Sequence, residues 1–297
     1  MKHDLSVMLI GQEKEAFDDE DWIFELKMDG IRVLAYIEDH QVDLRNKRNL
    51  KLIQRFPEMK DLGKYVRKDC ILDGELYCYD QGQIDFSKIQ RRALLRDPFK
   101  IRMQSHQTPA VFTAFDILYY GSDYVMDRPL MERKKILEKC IRQETAHFSR
   151  SRYIFEEGCF LYEKTKEKEL EGIVAKKKDS LYKPGERTKQ WIKIKYLKDD
   201  DFAVVGYKVK ESGSISLILA QYDQGKRIYI GQVMTSLSRL PKHQVKKTAV
   251  FDISDAIWLK DELCAKVKFM EKTASGSLRQ PVLIDFVHDK RAEDCQM

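Results

Sequence analysis

The amino-acid sequence predicts an α+β chain in two parts: residues 1–197, with antiparallel sheets and flanking helices, and residues 198–297, a compact β-barrel. Three observations lead there. Apolar runs such as CILDGELYCY and AVFTAFDILYY are short and bounded by turn residues, which fits buried strands. Stretches between them, residues 85–95 and 127–143, space their apolar residues as helices do. After Leu197 the charge run KDDD marks a linker, and closely spaced short strands follow it. A length of 297 residues also favours two domains over one.

Taken in order, residues 22–37 read as two strands around a tight turn at Asp29 and Gly30. Alternation along WIFELK puts Trp22, Phe24 and Leu26 on one face, and Glu25 and Lys27 on the other. Residues 52–68 read as helical with a break at Pro57, because proline cannot donate within a helix. CILDGELYCY is a strand, residues 85–95 a helix, and AVFTAFDILYY a buried strand. Residues 127–143 open with a capping Asp and an early Pro, then carry Leu130, Leu137 and Ile141 at helical spacing. Residues 159–169 form another helix. EGIVAKK and QWIKIKYL are strands, the second with Lys193 and Lys195 on one face and Ile192 and Ile194 on the other. Past the linker, FAVVGYKV, SISLILAQYD and RIYIGQVM are strands, residues 255–267 a helix and PVLIDFV a last strand. So many strands in about a hundred residues suit a small barrel such as an oligonucleotide-binding (OB) fold.

Composition narrows the class. With 43% hydrophobic and 34% charged residues the chain is a folded, well-solvated protein. Its formal charge of +6 permits a polyanionic partner, and its 48 acidic residues confine positive potential to a patch or groove. Cysteines at 70, 78, 140, 159, 264 and 295 form no CxxC pair, which argues against structural zinc and for a reducing, cytoplasmic location. No apolar run approaches the ~18 residues of a membrane span.

The stretch FELKMDGIRVLAY sets Lys27 between an apolar strand and the Asp29–Gly30 turn, with Arg32 five positions on. Such a lysine is a solvated hairpin-tip charge, a phosphate clamp or a nucleophile. A nucleophilic role needs the neutral amine, which desolvation or nearby cations favour. Arg32, Lys193 and Lys195 are such cations if they converge on it.

Further elements follow in order: LRNKR (44–48), LDGEL (72–76), AFDIL (114–118), EGIVAKK (171–177) and YKPGERTKQWIKIK (182–195). The set resembles the ATP-dependent DNA ligases of the covalent nucleotidyltransferase superfamily, and most of all the ligase module of bacterial end-joining ligases. The likeness runs from about Val7 to the C-terminus and is strongest up to Lys195. It implies a nucleotidyltransferase (adenylation) domain over residues 1–197 and an OB-fold domain over 198–297. It further implies that Lys27 attacks the α-phosphate of ATP, that AMP passes to the 5′-phosphate at a nick, and that the 3′-hydroxyl then seals the strand.

The residue roles that follow from the resemblance are these. Lys193 and Lys195 clamp phosphate oxygens. Glu171 and Asp73 hold Mg²⁺ or Mn²⁺. Glu75 accepts from the ribose, and Arg32 contacts the ribose or the nick phosphate. Arg45 lies near the sugar and the 5′-phosphate, and Arg187 reaches the phosphates. Phe115 stacks on adenine, and Glu25 reads its N6 amino group. The C-terminal RQPVLIDFVHDK keeps Arg279, Pro281, Asp289 and Lys290 of the family element, but has Val287 where a pyrophosphate-orienting arginine is usual.

The expected substrate is nicked duplex DNA, gripped by a minimal, monomeric ligase, with a Ku-type end-binding protein as a partner and a nucleoid-associated location in a bacterium. A GTP-using capping enzyme or RNA ligase shares the K-x-D-G lysine. A degenerate nucleic-acid-binding protein is the non-enzymatic alternative, and Val287 is the feature that favours it.

Overall fold

The strands on either side of Asp29 and Gly30 form as Trp22–Leu26 and Ile31–Glu38, but they enter different sheets. Lys27 therefore sits at a crossover between two sheets and not at the tip of a hairpin. The computed structural model describes residues 1–273 and 276–297, and these divide into two units, Met1–Tyr196 and Leu197–Met297.

In the first unit a five-stranded sheet runs in the order Leu9–Glu13, Arg187–Lys195, Gly172–Lys177, Trp22–Leu26, Tyr153–Phe155. Its first pair is parallel and the rest are antiparallel. A seven-stranded sheet is built on Gln41–Asn46, Ile31–Glu38, Cys70–Asp80 and Ala110–Tyr120. The two sheets pack through Ile23, Trp191 and Tyr182 from one side and Leu34, Tyr36, Ile71 and Leu118 from the other.

Period-two alternation sets the outer faces. Phe24, Ile173, Ala175, Ile192 and Ile194 point away from the sheet interface and pack with Leu161 and Tyr162 of helix Gly158–Glu167. Val33, Ala35, Leu72, Leu76 and Phe112 point outward from the larger sheet onto Phe56, Leu62, Ile89 and Leu137. The inner faces carry the apolar contact between the sheets together with polar residues of the same strands.

Several elements differ from the sequence reading. Residues 52–68 turn as two 3₁₀ segments, Ile53–Arg55 and Pro57–Lys64. Helix Leu130–Cys140 starts after Pro129 with no side-chain cap, so Asp127 is not its cap. Helix Pro98–Gln107, with Asp97 accepting from the Lys100 amide, goes unforeseen although Asp-Pro is a start signal. So does Leu9–Glu13, whose pairing encloses the strand of Lys193 and Lys195.

The second unit is an antiparallel sheet ordered Lys226–Ser236, Ser214–Asp223, Lys198–Val209, Ile257–Phe269, Val245–Lys246, with Val282–Val287 also paired to Ile257–Phe269. Its largest apolar cluster includes Phe202, Val204, Leu217, Leu219 and Val267. Two expectations are corrected. KDDD is strand and not linker, since Lys198 pairs with Phe269 and Asp201 with Lys266. The helix expected over residues 255–267 is not formed: Ile257–Phe269 is a strand. Its helix-favouring KDELCAK is overridden by partners on both sides, and Ala265, Val267 and Phe269 alternate inward at period two. Among the described residues no helix is long and apolar enough to cross a membrane.

One glycine is indispensable to this frame. Gly172 has φ +139°, and a Cβ there would lie 2.2 Å from the Ile194 carbonyl oxygen. Gly172→Ala is expected to destabilise the first unit by about 2 kcal/mol or more, through backbone strain and a clash with main chain that cannot rotate away. A thermal midpoint equal to that of the parent chain contradicts this.

Candidate active site

Register builds the site. Val174 pairs with both Glu25 and Lys193, Gly172 pairs with Lys195, and the Lys27 amide donates to the Gly172 carbonyl at 2.9 Å. Lys176 pairs with Trp191 in the same ladder. These side chains therefore share the inner face of the five-stranded sheet. From the larger sheet Arg32 lies opposite Glu75, and Glu75 opposite Thr113. Between the sheets is a cavity of about 670 Å³, whose wall includes Glu25, Lys27, Arg32, Glu75, Phe115 and Lys176.

Lys27 is partly exposed at the crossover, with Nζ 2.7 Å from Glu171 Oε1. Its immediate neighbour is thus a carboxylate and not the cluster of cations expected from the sequence. Lys193 and Lys195 lie on the same sheet face, outside the cavity wall, and converge on Glu13 Oε2 at 2.9 and 3.8 Å. Burial pushes the Lys195 amine below its ordinary value, and Lys193 and Lys27 act in the same direction.

Arg32 donates to both oxygens of Asp73, at 2.9 and 2.6 Å. The Tyr182 hydroxyl donates to Asp73 Oδ2 at 2.7 Å and accepts from the Met8 amide at 3.0 Å. Asp73 is fully buried under these partners. Both oxygens of the carboxylate expected at the metal are thus engaged, and they fix Arg32. Burial pushes the Glu75 carboxyl up to about 8 against the pull of Lys27 and Arg32. The protonated form, which can both donate and accept, is thus favoured far more than for an ordinary glutamate.

Glu25 is buried between Lys134 and Lys176, the latter at 3.1 Å. Burial alone would raise its pKa, but the two ammonium groups outweigh it and hold the carboxylate below the usual range. Burial lowers Lys176 to about 8, and its Nζ lies 4.4 Å from the Phe115 ring centroid and 4.2 Å from that of Trp191. Lys134 also donates to the Phe115 carbonyl at 2.8 Å. The Arg32 guanidinium sits 5.2 Å from the Phe115 ring. The aromatic wall and the Glu25 acceptor are thus held by one network.

Two expected residues do not join. Arg45 donates to Asp43 and Asn49 at 2.8 and 3.2 Å, and Arg187 to the Ile10 carbonyl at 2.7 Å; neither borders the cavity. Sequence reasoning misses Lys176, Trp191, Tyr182, Lys134 and Glu13. Lys176 and Trp191 are reachable from it, since they share strand parity with Val174 and Lys193. Lys134 comes from a remote helix and leaves no local signal.

For a divalent cation the chemistry of Glu171 fits: it is a carboxylate beside the nucleophile candidate, and magnesium commonly takes one or two carboxylates plus substrate phosphates. Among the described residues no group of three His, Cys, Asp or Glu side chains could hold a metal, so substrate and water oxygens would complete the shell.

A family model described as "ATP dependent DNA ligase domain" matches residues 8–195, the span that carries every inner-face residue described above. The chain belongs to the ATP-dependent DNA ligase family. This ligase is 30% identical over 282 residues to the SPbeta prophage-derived DNA ligase-like protein LigB of Bacillus subtilis, covering 93% of this chain and 97% of that protein. It is 28% identical to the multifunctional non-homologous end joining protein LigD of Mycolicibacterium smegmatis over 88% of this chain. There it spans only 35% of the relative's length. In fold it matches the ligase domain of M. tuberculosis LigD with a TM-score of 0.59, 24% identity and coverage of 100% and 99%. A Lig E DNA ligase gives a TM-score of 0.65 at 16% identity, covering 96% and 100%. The architecture is a nucleotidyltransferase-type ligase fold, mostly antiparallel sheet with a few helices.

Proposed function

We propose that this ATP-dependent DNA ligase seals nicks bearing a 3′-hydroxyl and a 5′-phosphate in duplex DNA through a covalent adenylate on Lys27. The carrying observation is the placing of Lys27 at the edge of a two-sheet cavity of about 670 Å³ that also presents Glu25, Glu75 and Phe115. That volume is within the ~300–1,000 Å³ typical of small-ligand sites.

In this reading adenine lies against Phe115, with its N6 amino group toward the ionised Glu25. The ribose hydroxyls meet Glu75, whose raised pKa favours the protonated form and so a donor as well as an acceptor. Arg32, held by Asp73 and Tyr182, presents its fork to ribose or phosphate oxygens. Attack requires the Lys27 amine without its third proton, and the Glu171 carboxylate 2.7 Å away is the adjacent acceptor. Nitrogen bonds to the α-phosphorus as the bond to pyrophosphate breaks. Lys193 and Lys195 stabilise the developing phosphate charge once phosphate oxygens compete with Glu13 for them. Glu171 together with the phosphates of ATP would hold Mg²⁺ or Mn²⁺, which when bound neutralises phosphate charge.

We take Met1–Tyr196 as the adenylation domain and Leu197–Met297 as the OB-fold domain. A monomer acting on nicked duplex in the cytoplasm, in end-joining repair beside a Ku-type partner, is the setting that the LigD likeness supports. Val287, which pairs with Cys264 in a strand and packs against an apolar cluster, leaves arginine's usual place in the C-terminal element to Arg279 or Lys290.

Labelled ATP with Mg²⁺ is expected to give an acid-stable label on the protein, at least about tenfold above labelled GTP, because Glu25 accepts from an amino group that guanine lacks at that position. The labelled protein is then expected to seal a nicked DNA duplex. Preferential GTP labelling, or no sealing even of a pre-adenylylated nick, overturns the reading.

A further inference from the structure

Residues 86–107 hold six cations, Lys88, Arg91, Arg92, Arg96, Lys100 and Arg102, against the single acid Asp97. This stretch of 22 residues therefore carries +5 of the chain's formal +6. It folds as helices Phe86–Leu94 and Pro98–Gln107, the connection between two strands of the larger sheet. Arg91, Arg96, Lys100 and Arg102 are exposed, and among the described residues none of the four is in an ion pair. Interleaved with them, Leu94 and Phe99 are 73% and 70% exposed.

The two helices enclose a groove of about 410 Å³, bounded by Lys88, Arg91, Arg92 and Leu95 from one and by Lys100 and Met103 from the other. Its floor is rigid. Arg92 is buried, pairs with Glu58 and donates to the carbonyls of Thr108 and Arg55, while Glu58 also accepts from the Ala110 amide. The first helix faces two ways. Phe86, Gln90, Ala93 and Leu94 border the nucleotide cavity, whereas Lys88, Arg91, Arg92 and Leu95 border the groove. At about 100° per residue these sets lie on opposite sides of the helix, so groove and cavity are separated by one helix diameter, about 10 Å.

We infer that this groove and its free cations are a docking surface for the phosphate backbone of the DNA duplex beside the nick. Charge complementarity and the adjoining cavity identify the occupant. A phosphate chain in the groove passes about 10 Å from the reacting lysine's cavity, the rise of about three nucleotides. The buried Arg92, bonded to Glu58 and to the carbonyls of Thr108 and Arg55, fixes the helices, and the exposed arginines and lysine replace counterions on the backbone. The proposal rests on DNA as the substrate, and lysine adenylylation, which needs no DNA, separates the two.

The test is a triple variant, Arg91→Ala with Arg96→Ala and Lys100→Ala, in the full chain. Anisotropy of a labelled nicked duplex is read across a salt series, and self-labelling by ATP is measured in parallel. The expected result is unchanged self-labelling, affinity at fixed moderate salt lower by at least about tenfold, and a log K against log salt slope shallower by about 2 to 3. A companion variant, Arg91→Lys with Arg96→Lys, keeps the charge and is expected to keep the slope. Unchanged affinity and slope in the triple variant overturn the proposal, as does an equal loss in the charge-retaining pair. If the triple variant binds duplex as before but no longer binds an acidic protein partner, the groove is a protein interface and the proposal also fails.

Discussion

Lys27→Ala is expected to abolish self-adenylylation, by at least about 10⁴-fold, while leaving a substantial part of the sealing of a nick whose 5′ end is already adenylylated. The asymmetry follows from the geometry. The other lysines of the inner sheet face are otherwise engaged. Lys176 is buried against Phe115 and Trp191 and paired with Glu25, and Lys193 and Lys195 are directed to Glu13. In the proposed mechanism, however, sealing of a pre-formed DNA adenylate would use the 3′-hydroxyl as nucleophile and would need the cavity, Arg32, Lys193 and Lys195 but not the Lys27 amine. Alanine there removes the ion pair of a partly exposed amine with Glu171, whose side chain is only 6% exposed, so a thermal scan of the variant accompanies the assay to show that it is folded. Peptide mass spectrometry after exposure to ATP and Mg²⁺ should find the parent adduct on Lys27 and none in the variant. A label that survives the substitution places the nucleophile elsewhere. Loss of both activities gives Lys27 a role in holding the substrate as well as in attacking it.

The faces of the central strands are legible in the sequence because alternation is strict there. Phe24 and Leu26 against Glu25 and Lys27, and Ile192 and Ile194 against Lys193 and Lys195, fall where period two puts them. What alternation cannot reveal is which sheet a strand joins. The turn at Asp29 and Gly30 suggests neighbouring strands, yet the chain crosses between sheets there, and that crossover is what brings Lys27 to the cavity edge. Leu9–Glu13 is hidden for a related reason: LIGQE is too short and too weakly patterned to be a strand by itself, and is one only because the strand Arg187–Lys195 offers its edge.

Side-chain partnership is less legible still. Arg45 and Arg187 have the right identity and order in the chain, yet each guanidinium is taken by a nearby acceptor. Lys134 reaches Glu25 from a helix more than a hundred residues on, so only the fold shows why that carboxylate stays ionised when buried. In the second unit, KDELCAK shows the limit of local propensity, since two pairing partners decide its state.

Asp73→Asn is expected to cost the first unit about 3 kcal/mol of stability, which at about 2–4 °C per kcal/mol lowers its thermal midpoint by about 6–12 °C. The sequence reading of Asp73 as a metal ligand predicts the opposite pattern: a folded protein of ordinary stability that needs far more Mg²⁺. What surrounds the carboxylate favours the first account. It is fully buried, and its oxygens serve Arg32 at 2.9 and 2.6 Å and Tyr182 at 2.7 Å. Burial would lower the basicity of Arg32, yet Asp73 more than offsets it and supplies the counter-charge that this always-charged guanidinium needs. Asparagine keeps the shape but leaves a buried cation unmatched and presents an amide hydrogen toward one of its donors. Arg32 then loses its fixed aim into the cavity, so adenylylation should fall with stability and should not recover as Mg²⁺ is raised. Tyr182→Phe is the graded control: it removes one hydrogen bond to Asp73 and keeps the charge pair, so its midpoint should drop by only about a third as much. A thermal scan of each variant, with adenylylation measured across a Mg²⁺ titration, separates the two accounts. An unchanged midpoint with activity restored by excess Mg²⁺ returns Asp73 to the metal.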